Sequence, residues 1–335
     1  MKIKIALVLL LVMFTIGCSL EQDASAVVVY TSVDQNFSSV VFDRFTEETG
    51  VEVKAVYDVE AAKTTGLVNR LIAEKQRPLA DVFWNGEIAQ TITLASEGVL
   101  AAYTPSTAET ISERYRDPHW TAFGGRARCL IINTDLLDKE NYPTSILDFL
   151  SDAYPAKQLA IAQPLFGTTA TQAAALYEAW GSDVAQDFYQ QIADRGVQIV
   201  SGNSVVRDLV VGGQALFGLT DTDDALGAIE NGAPVAVVFP DQGVDDIGTL
   251  IIPNTVGLIQ GAPHPEAGQR FVDWLVDKEQ EKFMLEIGWC QVAVRDVAIE
   301  SKLPIEHLKG MALDFTAVYQ QMDTVLSDMR TIFLK

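Results

Sequence analysis

The chain has 335 residues, 48% hydrophobic and 21% charged, so it exceeds one ordinary core and has globular composition without a disordered bias. Its 24 Lys and Arg stand against 45 Asp and Glu, a formal charge of −21. That balance argues against a nucleic-acid partner, whose binding rests on Lys and Arg neutralising phosphates, and otherwise implies only a solvated acidic surface.

The first residues, Met1-Lys-Ile-Lys4, are basic, and residues 5–16 form a nearly unbroken apolar run. The run is too short to span a bilayer and has the layout of a secretory signal. It closes with Thr15-Ile-Gly-Cys18 and a polar stretch, which resembles a bacterial lipobox. The expectation is a signal peptide over 1–17, lipidation at Cys18, and a mature protein outside the cytoplasm, tethered to the membrane by lipid alone. The remaining cysteines, Cys129 and Cys290, suit either a disulfide in an oxidising compartment or two buried free thiols.

Beyond the leader, residues 27–30 read as a strand, and Asp34 opens a helix whose Phe37, Val40, Val41 and Phe45 share a face, stopped by Gly50. Strands follow at 51–57 and 80–83, with a helix at 67–75 between them. A turn at 84–87 leads into a helix at 88–97, and Gly124-Gly125 precedes an apolar strand at 129–132. A second alternating series has strands at 159–162, 197–200, 215–219, 235–239 and 255–259, and helices at 168–180, 184–195, 204–211 and 225–229. Helices at 265–276 and 280–287 and an amphipathic helical tail over 305–333 complete the chain. This alternation predicts an α/β fold with mostly parallel sheets. The length and the lack of a flexible linker predict two lobes joined by crossing strands, with a cleft between them.

The densest chemistry lies at Thr220-Asp-Thr-Asp-Asp224, between an apolar strand and a short helix. A strand end that leads into a helix is where open α/β sheets place ligands. One carboxylate there needs no more than a capping role. Three in four residues repel one another, so a cation or a hydrogen-bond network should compensate them.

Six segments stand in order along the chain: Val28-Val-Tyr-Thr-Ser32, Phe45-Thr-Glu-Glu-Thr-Gly-Val-Glu-Val53, Ala80-Asp-Val-Phe83, Gly124-Gly-Arg-Ala-Arg128, Gly202-Asn-Ser204 and Phe271-Val-Asp-Trp-Leu275. This ordered set resembles the solute-binding proteins of ABC importers, in the ferric-ion-binding branch. The resemblance implies a two-lobe periplasmic-binding-protein fold of type II, one lobe over 26–126 plus 255–296 and the other over 127–254 plus 297–335. It also implies a monomer that captures a small ligand by hinge closure and delivers it to an ABC permease in the membrane. Ferric binders of this kind place an early His, a Glu and a Tyr-Tyr pair in the cleft. Asp34, Glu87 and Asp223-Asp224 stand at those places here, which removes the phenolates while keeping hard oxygen donors for Fe³⁺ or another hard cation.

An anion side faces this cation side. Thr168 and Thr169 open a helix, and its free N–H groups suit an oxyanion. Arg126, Asn203 and Ser204 match family positions near a synergistic phosphate or carbonate. Carboxylates Asp34, Glu87, Asp221, Asp223 and Asp224 opposite that cradle fit a metal held with an anion. That is the leading expectation; the alternative is a phosphonate or phosphorylated solute such as an aminophosphonate, with its amine on Asp221, Asp223 or Asp224. No resident cofactor is expected and no catalytic residue is assigned. A phosphatase with Asp221-Thr-Asp223 as its D-x-D motif lacks the usual residue at Ala225 and a Lys between Asp223 and Asp245. An EF-hand starting at Asp221 fails at Ala225, Leu226 and Gly232. His119, His264 and His307 form no recognisable triad.

Overall fold

The computed structural model describes residues 26–57, 65–298 and 300–334, so the leader and Cys18 lie outside the described residues. The chain first lays down three parallel strands, β1 (Ala26–Thr31), β2 (Glu52–Tyr57) and β3 (Val82–Asn85). They are linked through α1 (Gln35–Thr49) and α2 (Thr65–Glu74), and α3 (Ala89–Ser96) follows β3. Helix α1 buries Ser38, Val41, Phe42 and Phe45, whereas Val40 is exposed, so the apolar face lies one position round from the expected one. Gly50 ends the helix in the left-handed conformation, its N–H donating to the Thr46 carbonyl. Phe45 sits edge-on against Phe271, 4.9 Å between centroids, which packs this helix against the later helix over 265–275.

A short β4 (Arg116–Asp117) turns into β5 (Trp120–Asn133), a strand of 14 residues. The second parallel unit consists of β6 (Leu159–Ala162), β7 (Gln198–Val200) and β8 (Phe217–Asp221). Around it are wrapped α4 (Gly167–Trp180), α5 (Ser182–Arg195), α6 (Asn203–Val211) and α7 (Thr222–Glu230). Then come β9 (Val235–Val238), β10 (Ile251–Leu258), α8 (Pro265–Leu275) and α9 (Lys278–Glu286). The tail is not one helix: α10 (Phe315–Gln320) and α11 (Met322–Phe333) follow an irregular stretch after α9. No helix among the described residues is long and apolar enough to cross a membrane.

The strand order is β2-β1-β3-β10-β5-β8-β6-β7, with β4 and β9 also paired to β5. Strand β5 therefore belongs to both lobes: its first half pairs with β10, and residues 128–132 pair with β8. Gly124-Gly125, expected to precede a strand at 129–132, form a bulge inside this longer continuous strand. The register against β10 shifts between Pro253 and Asn254, opposite these glycines. A side chain at Gly124, whose φ is +46°, would meet the Cys290 sulfur at 2.6 Å, and one at Gly125 would meet the Ile252 carbonyl at the same distance. A third crossing passes here, since the N–H groups of Gln291 and Val292 both donate to the Gly125 carbonyl. The chain thus bends between its lobes where three segments lie side by side. Cys129 and Cys290 are buried and free, which resolves the open choice in favour of thiols.

Candidate functional site

The segments that follow β1, β3, β6 and β7, with the end of β8, meet at one cleft of about 740 Å³ between the lobes. From the first lobe it is lined by Ser32, Asp34, Phe37, Gly86, Glu87 and Trp289, and from the second by Gly167, Thr168, Asn203, Ser204, Asp221, Asp223 and Asp224. Gly125, Arg126, Asn254 and Gln291 form its hinge side. Nine of the ten predicted cation and anion residues meet here. The exception, Thr169, is buried behind the wall with its hydroxyl donating to Asn203 Oδ1 at 3.4 Å. A second cavity of about 790 Å³ lies under residues 292–308; its Arg295 is already bonded to Glu281, Thr107, Thr110 and Val276.

The three carboxylates of the β8–α7 turn are compensated from within the protein, one arginine to each. Arg128 Nη1 donates to Asp221 Oδ1 at 2.6 Å, with side chains 1% and 5% exposed. The other oxygen of Asp221 accepts from the Thr168 hydroxyl at 2.6 Å and from Asn203 Nδ2 at 2.9 Å. Arg128 Nη1 also reaches Thr168 Oγ1 and Asn203 Oδ1, at 3.2 and 3.0 Å, and Asn203 Nδ2 donates to Thr168 Oγ1 at 2.8 Å. This closed network turns three of the expected ligand residues towards one another. Asp221 faces a guanidinium rather than a ligand cation, and the side chains of Thr168 and Asn203 are bonded to Asp221 and Arg128 rather than turned to an anion. By joining α4, α6 and α7 to β5, it fixes how three helix N-termini converge on the cleft.

Asp224 accepts from Arg207 Nη1 at 3.1 Å and from the Thr220 hydroxyl at 3.4 Å. Burial, with Asp223 and Asp221 adding repulsion, pushes its carboxyl up to about 6, against the opposing pull of Arg207. Asp223 is paired most loosely. Arg126 Nη1 lies 3.4 Å from its Oδ2, with side chains 25% and 45% exposed to the cleft, while Arg126 Nη2 donates to the Gly86 carbonyl at 2.7 Å. Loss of bulk solvent between the walls raises the Asp223 carboxyl above the usual range, Arg126 acts against this, and Asp221 adds to it.

Glu87 is a helix cap. Its carboxylate accepts from the N–H groups of Ala89 and Gln90 at 2.8 and 3.1 Å, at the start of α3. Asp34 is the exposed N-cap residue of α1, and its backbone carbonyl accepts from Phe37 and Ser38. Ser204, at the exposed start of α6, faces the cavity. The first turns of α4 and α6 carry no acidic residue, so their dipoles favour an anion, whereas α7 carries Asp223 and Asp224 in its first turn. Among the described residues, no group of three His, Cys, Asp or Glu is placed to hold a metal ion.

Sequence reading passes over Arg128 and Arg207. For Arg128 a signal exists: residues two apart on a strand share a face, so Arg126 and Arg128 of β5 point the same way. Phe37 and Trp289, stacked on the first lobe with centroids 5.0 Å apart, form an aromatic part of the wall; Trp289 has no local signal.

A family model described as bacterial extracellular solute-binding protein matches residues 41–304. A Salmonella typhimurium protein named as a putative 2-aminoethylphosphonate-binding periplasmic protein is 25% identical over 300 residues, covering 88% of this chain and 86% of its own. The major ferric iron-binding protein of Neisseria meningitidis is 23% identical over 280 residues, 78% of each chain. Among solved structures, a Trichodesmium protein in complex with iron and citrate superposes with a TM-score of 0.81 at 20% identity, covering 92% of this chain and all of that one.

Proposed function

The chain belongs to the bacterial extracellular solute-binding proteins, and we propose that its cleft captures a small organic phosphonate or phosphate ester for an ABC importer. The observation that supports this reading over a metal cargo is the matching of Asp221, Asp223 and Asp224 by Arg128, Arg126 and Arg207. Carboxylates already neutralised by guanidinium groups are poor ligands for Fe³⁺, because a hard cation and an arginine compete for the same oxygens. An oxyanion has donors waiting: Arg126 at the hinge, Ser204, and the backbone N–H groups that open α4 and α6. An aminophosphonate would place its amine towards the acidic first turn of α7. The relative from Salmonella named for such a ligand is in keeping with this.

The same geometry supports a binder rather than an enzyme. Both oxygens of Asp221 are bonded, so the D-x-D phosphatase reading lacks a free nucleophile. Calorimetry with 2-aminoethylphosphonate, and separately with Fe³⁺ supplied with citrate or phosphate, tests the ligand. The phosphonate should bind, and Arg126→Ala should weaken it about tenfold to a hundredfold, the range of one charge-assisted hydrogen bond. Binding of iron with no response to the phosphonate would replace this reading with a metal cargo.

We also propose that Cys18 carries the lipid tether. Cys18→Ala should then shift the protein from membrane to soluble fractions, and identical partitioning of both forms would remove the tether.

A further inference from the structure

We infer that Asp223 is the residue that selects the ligand's charge pattern, and that it does so by ion-pair exchange with Arg126. The inference rests on the phosphonate reading above. The three arginine–aspartate pairs of the cleft differ in how readily a ligand can part them. Arg128–Asp221 is short, dry and closed by Thr168 and Asn203. Arg207–Asp224 is backed on both sides, Arg207 by Asp208 at 2.8 Å and Asp224 by Thr220. Arg126–Asp223 is the longest of the three, at 3.4 Å, and Asp223 has the most exposed carboxylate, at 45%. A contact of that length is a weak hydrogen bond.

The other guanidinium nitrogen of Arg126 stays anchored on the Gly86 carbonyl at 2.7 Å. Nη1 can therefore turn from Asp223 to a ligand oxygen without losing the position of the side chain. An oxyanion that takes Nη1 leaves Asp223 facing the cleft without its cation. A ligand that brings its own ammonium group restores that partner, so both ends of the internal pair are replaced by complementary ends of one molecule. A ligand of negative charge alone takes Arg126 and leaves an uncompensated carboxylate beside it, which opposes binding. The cleft is thus a charge template: Arg126 and Asp223 pair with each other as they would pair with a zwitterion.

Two probes with the same anionic end decide the matter: 2-aminoethylphosphonate and ethylphosphonate, which lacks the amine. Their affinities would be measured by calorimetry on wild type and Asp223→Asn. Wild type should favour the amine-bearing probe by about tenfold or more, the worth of one charged hydrogen bond. Asp223→Asn should move the two affinities in opposite directions, aminoethylphosphonate binding more weakly and ethylphosphonate more tightly, because Arg126 no longer has to leave a partner. A parallel loss for both probes in Asp223→Asn would make Asp223 structural, and equal affinities in wild type would show that the cleft does not read the amine; either result overturns the inference while phosphonate binding stands. If neither probe binds wild type, the phosphonate reading falls and the inference with it.

Discussion

Arg128–Asp221 and Arg126–Asp223 start from neighbouring positions on β5 and on the β8–α7 turn and do opposite work. In the first, β5 offers its arginine beyond the bulge, where the strand already pairs with β8 and Arg128 stands opposite Asp221 in register. Thr168 and Asn203 close over that pair, so it lies in the floor of the second lobe. In the second pair, β5 offers its arginine two residues earlier, where the strand still pairs with β10 of the hinge. Arg126 then reaches Gly86 of one lobe and Asp223 of the other across open space. A displacement of two residues along one strand, and two along the turn, separates a structural lock from an exchangeable contact. Burial decides it: a closed pair holds its geometry because neither charge can return to water, whereas an open one is screened and contributes about 0–1 kcal/mol.

The comparison is most easily broken at the lock. Arg128→Ala would leave Asp221 charged and buried with only neutral partners, and it would remove the group that joins β5 to the starts of α4 and α6. Loss of one partner from a buried pair costs about 3–5 kcal/mol. Urea unfolding should show an unfolding free energy lowered by that amount, seen as a lower midpoint with a slope per molar denaturant close to that of wild type. A variant as stable as wild type would mean that Asp221 is not locked and is free to meet a ligand, which would restore it to the cation side of the site.

How much of this is legible in the sequence follows from where each partner sits in the chain. The turn from β8 into α7, its three carboxylates and the need for compensating charge are all local, and the sequence shows them. The arginines that answer are not local: Arg128 is 93 residues from Asp221, and no spacing within the turn points to it. Thr168 and Asn203 are expected at the cleft and stand there, but hydroxyl and amide groups at a helix start look alike whether they turn to a ligand or to a neighbouring carboxylate. Glu87 shows the same ambiguity, since a carboxylate two residues before a helix serves as a ligand or as a cap. The two-lobe α/β plan is legible because strand and helix periods alternate cleanly. The hinge is less so, for Gly124-Gly125 reads as lying before the strand at 129–132 and proves to be a bulge within a longer crossing strand. In the tail, apolar periodicity suggests one helix over 305–333, yet Gly310 lies in a bridge with Thr249 and helical structure begins at Phe315.

The smaller effect lies between the two pairs, at Asp224, and pH reads it out. Burial raises its carboxyl to about 6 in the folded protein, against about 3.9 for an unfolded aspartate. A group whose folded value is raised binds its proton more tightly when folded, so its contribution to stability is complete below the unfolded value and is lost as pH rises through the folded one. Wild type should therefore lose about 1–3 kcal/mol relative to Asp224→Asn between pH 4 and pH 7.5, since each tenfold gain in proton affinity on folding is worth about 1.4 kcal/mol. The difference between the two proteins is the quantity to plot, because every other carboxylate titrates in both and largely cancels. Asp223 adjoins Asp224, so the midpoint of that difference belongs to the two together. Arg207 keeps Asp208 in the variant, which limits the loss from its own pair. A difference that stays flat from pH 4 to 7.5 would place Asp224 in ordinary solvent. It would then be open to a ligand's cation on the same terms as Asp223, and the distinction drawn between backed and exchangeable pairs would move from Asp223 alone to both residues.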